Sequence, residues 1–186
     1  MESPESPSDH TQELFALSLL TYGIGRQIQF DEATAHGDTH LLDLPTEAKP
    51  LLIDSLAELA LRILENSQTV ATPEPLESLA LVKGIMASFT TTASEPGEAQ
   101  NADSITFGAT YMEAFIAGDA AAIETLAKSS TYDELIEALL RLNRQLSLIE
   151  SSAVNMTRIQ YLGVLLQLGA GQAVNLMAET ATPHQD

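Results

Sequence analysis

Two small groups of residues in this 186-residue chain carry side chains suited to holding a ligand. The first is His36, Asp38, His40 and Asp43, with Asp31 and Glu32 just upstream. Imidazole and carboxylate are groups that zinc and other transition metals accept. Their spacing matches no metal motif, and Gly37 works against the helix that would set His36 and His40 on one face. The plainer reading is a solvated polar loop; a metal ion is the one cofactor this loop leaves open. The second group is Tyr22 and Arg26, four residues apart, with Arg158 and Tyr161, three apart. If the two helices that carry them pack together, two cations and two phenols line a polar pocket for an anionic small molecule. Otherwise each arginine runs out along its own helix to solvent.

Other chemistry is missing from the sequence. Without cysteine there is no disulfide framework, thiolate zinc site or cysteine nucleophile. The two G-x-G triplets lie inside helical patterns rather than after strands, so they do not cradle phosphate. No H-E-x-x-H, nucleophile elbow or E-x-x-H of a di-iron bundle occurs. Carboxylates are plentiful, but nothing marks one pair as acid and base.

The charge narrows the partners. Against 26 acidic residues stand 8 basic ones, a formal net charge of −18. Nucleic-acid backbone and anionic membrane surfaces require clustered cations and are disfavoured. A basic protein partner is compatible, and so is a simple contribution to solubility. The N-terminus, MESPESPSDH, lacks the basic and apolar regions of a signal peptide, so a cytoplasmic location is the default expectation.

The elements that would position these residues are helices. The apolar fraction is 45 %, dominated by Leu and Ala and without Trp, which favours an all-α fold. The longest apolar stretch, Ile159 to Ala178, has no charge and reads as a helix apolar around most of its circumference. It predicts the central helix of a bundle, with Gly163, Gly169 and Gly171 allowing close approach of neighbours. A membrane span is the rival reading. Four amide side chains and the absence of flanking Lys/Arg clusters oppose it.

Earlier in the chain, residues 1–8 read as a disordered tail and Ser8 or Asp9 as the cap of a first helix with Leu14, Leu17, Thr21, Ile24 and Ile28 on one face. Residues 29–44 read as a long loop. Leu52, Leu56, Leu59 and Ile63 predict a second helix, ending near Asn66, and Pro75 opens a third with Leu76, Leu79, Val82, Met86 and Phe89 facing the core. Residues 90–103, with Pro96-Gly97, read as a flexible acidic insertion. A fourth helix follows Asp103 and is ended by Gly118. Asp119 caps a short fifth, and Thr131 with Glu134 forms a capping box for the next. There Tyr132, Leu135, Leu139, Leu142, Leu146 and Ile149 form a heptad seam, before a break at Ser151-Ser152. The tail 180–186 is expected to fray.

Residues 9–179 are therefore expected to form a single-domain multi-helix bundle around a hydrophobic C-terminal helix. Its expected function is that of a non-catalytic acidic interaction protein, an adaptor, chaperone-like or regulatory chain that meets a protein partner through a helical surface. The alternative is a bundle that binds a small anionic ligand or a metal ion. The heptad seam further suggests a homodimer.

Overall fold

The structure, a computed structural model, describes residues 7–37, 44–67, 74–93 and 95–181, with side chains described from 11 to 172 within these ranges. It is an all-α single domain, and no strand occurs among the described residues. The helices are α1 (Pro7–Ala35), α2 (Lys49–Glu65, preceded by one 3-10 turn, Thr46–Ala48), α3 (Pro75–Thr92), α4 (Pro96–Ala117), α5 (Ala120–Ser129), α6 (Tyr132–Ala153) and α7 (Arg158–Ala181).

Several boundaries follow from local chemistry. Asp119 caps α5 by accepting the Ala122 amide at 3.0 Å. Thr131 and Glu134 form the expected capping box of α6, with the Thr131 amide donating to Glu134 at 2.7 Å. Gly118, at φ 65°, ends α4 in the left-handed conformation that a side chain would strain. A second box opens α7: the Gln160 amide donates to Thr157 Oγ1 at 3.2 Å and the Thr157 amide to Gln160 Oε1 at 3.0 Å. This box places the break between α6 and α7 after Ala153 rather than at Ser151-Ser152.

Two segments expected to be irregular are helical. Gln29 to Ala35 continue α1, which stops only where Gly37 takes φ 72°. Most of residues 90–103 belongs to α3 and α4, with Pro96 in the first turn of α4 and Ala102 buried. Proline at the start of a helix and proline in a turn look alike in sequence, and here it starts the helix.

The core is built on α2 and α6. In α2 Leu52, Leu56, Leu59 and Ile63 are buried, as expected. In α6 the heptad leucines Leu135, Leu139, Leu142 and Leu146 are buried against α2 and α4, so these four serve internal packing, while Tyr132 at the head of the seam is 45 % exposed. Over the part of α7 whose side chains are described, Tyr161, Leu162 and Leu165 pack on α1 and α6, and Ile159 is 64 % exposed. An uncharged stretch states only that a helix tolerates burial; the number of neighbours decides how much of it is covered.

Two backbone contacts set the helix spacing. A Cβ on Gly23 would lie 2.4 Å from Ser55 O, and one on Gly108 would lie 2.7 Å from Ala138 O. At these points α1 meets α2 and α4 meets α6 without an intervening side chain. Gly169 meets the ends of Leu17 and Leu20, whereas Gly25 and Gly163 face open space. Gly23→Ala and Gly108→Ala are therefore expected to lower the melting temperature, at about 1–3 kcal/mol. Gly25→Ala and Gly163→Ala should raise it, by up to about 1 kcal/mol of helix propensity. Thermal denaturation of the four variants checks the opposite signs. By the same method Leu165→Asp should destabilise severely, because it buries an unpaired carboxylate, while Ile159→Asp should leave the fold intact.

Candidate interaction surface

The four residues expected to share an anion pocket point to different surroundings. On α1 the Arg26 guanidinium lies 5.3 Å from the centre of the Tyr22 ring and donates to Gln29 Oε1 at 3.2 Å. The shallow trough around them is lined by Ser18, Thr21, Tyr22, Gly25, Arg26 and Gln29, all from that one helix. Arg158 instead turns inward, donating to Asp31 in an ion pair and to Ser147 Oγ at 3.1 Å. Tyr161 is buried, and burial together with the nearby Glu150 charge pushes its phenol well above its ordinary pKa. No hydrogen bond or ion pair joins the two pairs among the described residues.

Of the expected metal ligands, Asp38, His40 and Asp43 lie outside the described residues. His36 sits at the end of α1 with Nδ1 2.7 Å from Glu32 O. Among the described residues no three His, Cys, Asp or Glu side chains are grouped to hold a metal ion.

Arg158 belongs to a buried polar seam that no motif announced. The fully buried Gln27 amide donates to Leu140 O at 3.1 Å and to Asp31 Oδ1 at 3.2 Å. The equally buried Asn143 amide donates to Leu56 O at 2.9 Å. Ser67 Oγ donates to Glu150 at 2.7 Å. These bonds tie α1, α2, α6 and α7 together. Gln27 Oε1, Asn143 Oδ1 and Tyr161 Oη have no protein partner. The only early signal was an amide lying within each of two otherwise apolar stripes.

A groove of about 450 Å³ between α4, α5 and α6 contains Asp103, Glu134, Glu137 and Arg141 over Phe107. Its charges are occupied by structural bonds. Glu134 closes the α6 capping box, Glu137 accepts from Arg141 Nε at 3.0 Å, and Asp103 accepts from Thr90 Oγ1 at 3.3 Å.

The most unusual surface is that of α3. It is among the least charged of the helices, carrying only Glu77 and Lys83, yet it buries only Leu79, Val82 and Met86, chiefly against α4. Leu76 and Phe89, expected in the core, are exposed, because a helix with one major neighbour covers only a narrow stripe. Leu81, Ile85 and Phe89, 63, 39 and 58 % exposed, follow at intervals of four and form one outward row.

The chain that carries this row is strongly negative, with a formal charge of −18. Lys49, Arg62, Lys83, Lys128, Arg141 and Arg158 each pair with a carboxylate within the chain, as in Lys83–Glu113 at 2.8 Å. Arg62 alone engages both Glu58, at 2.7 Å, and Glu13, at 3.6 Å. Beside it burial pushes the Glu65 carboxyl up, with Arg62 opposing and Glu58 and Glu13 adding to the rise. Six of the eight basic residues are thus engaged in ion pairs within the chain, which leaves a large acidic excess.

The seam yields a stability test. Tyr161→Phe removes a buried hydroxyl without a partner and is expected to hold or raise the melting temperature. Arg158→Met strands Asp31 and should cost about 1–3 kcal/mol in denaturant unfolding. Compared with known proteins, the chain matches no family model, no curated protein and no solved structure.

Proposed function

We propose that this chain is a non-catalytic acidic interaction domain that docks another protein on the outward face of α3. The observation that carries this reading is the exposed row Leu81, Ile85 and Phe89 on a helix with a single major neighbour. Large apolar side chains scattered singly over a surface are ordinary, but a contiguous row is the kind of patch that marks an interface. Covering each such side chain contributes roughly 1.5–3 kcal/mol before the costs of association. Support also comes from what the other surfaces lack. The α4–α5–α6 groove has its carboxylates engaged in structural bonds, and the Tyr22–Arg26 trough belongs to one helix. No described helix is long and apolar enough to cross a membrane.

A photo-crosslinking side chain placed at Ile85 in the native cell tests the proposal, with the same group at exposed Ala121 on α5 as control. The expected outcome is a discrete crosslink to another protein from position 85 only, lost when Leu81→Ser and Phe89→Ser are added to a variant that keeps its melting temperature. Equal products from both positions, or none from 85, would overturn it. A crosslink solely to further copies of this chain would make α3 a homodimer seam and overturn it equally.

A further inference from the structure

We infer that the occupant of the α3 face is an amphipathic helix with lysine or arginine at one end of its apolar stripe. This inference rests on the reading of α3 as a docking face and goes on to name the chemistry of what docks there.

The shape of the face selects a helix. Glu77, Leu81, Ile85 and Phe89 stand four apart, so they form a single ridge of the type that fits between the ridges of a second helix. The apolar part of the ridge is about 12 Å long and the whole about 18 Å, the length of three to four helical turns. Beside the ridge Gly84 faces open space, which leaves a furrow where a second backbone can approach. An extended strand is not a fitting ligand, because it adds to a sheet edge through main-chain hydrogen bonds, and the α3 main chain is already bonded within its helix.

The charge of the face selects a basic helix. Glu77 opens the ridge and Glu74, exposed like it, immediately precedes α3, so the start of the ridge is acidic. The only cation of α3, Lys83, is held by Glu113 at 2.8 Å. A second copy would bring another chain of formal charge −18 against these carboxylates, and an anionic membrane would be repelled in the same way. Cations at the matching end of an apolar stripe meet Glu74 and Glu77 beside a dry centre, which is the usual division between the rim and core of an interface.

Three synthetic peptides of about eighteen residues test this with the whole chain, by fluorescence anisotropy. The first has leucine along one helical face and lysine elsewhere, the second has the same composition in scrambled order, and the third has glutamine in place of lysine. The first should bind at least about tenfold more tightly than either of the others. The double variant Leu81→Ser, Phe89→Ser should weaken it about tenfold, while Glu77→Gln and added salt weaken it several-fold. All substituted positions are exposed, and an unchanged melting temperature confirms the fold. If the glutamine peptide binds as tightly and with the same loss in the double variant, the basic character is overturned while the docking face stands. If the scrambled peptide binds equally, or the double variant binds unchanged, the attraction is general and the inference is overturned, with the docking face left to the crosslink at position 85. A dimer in sedimentation that disappears in the double variant would overturn it as well.

Discussion

The arrangement of this bundle depends on two places where helices touch backbone to backbone. Gly23 lies against Ser55, and Gly108 lies against Ala138. Each contact brings two helix axes nearer than any side chain would permit, and the surrounding leucines interdigitate at the spacing so imposed. The grip centres on α2 and α6, which carry much of the buried surface among the described residues. Around the first contact, polar bonds prevent sliding. Gln27 reaches from α1 to Leu140 O and Asn143 from α6 to Leu56 O. Each amide must find a carbonyl on another helix, so a one-residue shift in register would leave a donor unpaired in an apolar interior.

Charge is organised with the same economy. The chain has few cations, and most of them bridge or brace helices: Lys49 joins α6 to the start of α2, Lys83 joins α3 to α4, and Arg158 joins α7 to α1. An exposed pair such as Lys128–Glu124 contributes little singly, but together the ion pairs reduce the repulsion that a formal charge of −18 imposes on a compact state. Within this acidic chain α3 carries hardly any charge of its own, only Glu77 and Lys83.

The sequence was most legible where three or four residues decide the outcome. Asp119, Thr131 with Glu134, and Gly118 ended or began helices as their local chemistry requires, and the leucine stripe of α2 marked its buried face correctly. Legibility failed where the outcome belongs to neighbours. Leu76 and Phe89 fit the core periodicity of α3, but only one major neighbour packs there, so they stay outside. The heptad of α6 has internal bundle packing as its commonest explanation and a dimer seam as the alternative; the contacts of Leu135, Leu139, Leu142 and Leu146 with α2 and α4 fit the first. Arg158 and Tyr161 were recognisable as chemically capable; that one would meet Asp31 and the other a closed interior depends on the approach of α1 to α7. Gln27 and Asn143 escaped notice because their partners are carbonyl oxygens, which every residue possesses.

The single attachment of α3 has a bearing on motion. Lifting this helix from α4 uncovers Leu79, Val82 and Met86 but breaks none of the amide bonds that tie α1, α2, α6 and α7. Such an opening is a small cooperative unit that costs less than global unfolding. The amides of α3 should therefore exchange with deuterated solvent through a sub-global event of their own, while those of α2 and α6 wait for the whole bundle to open. A partner seated on the ridge would close that difference, so the element that presents the surface would also be the one whose dynamics report its occupation.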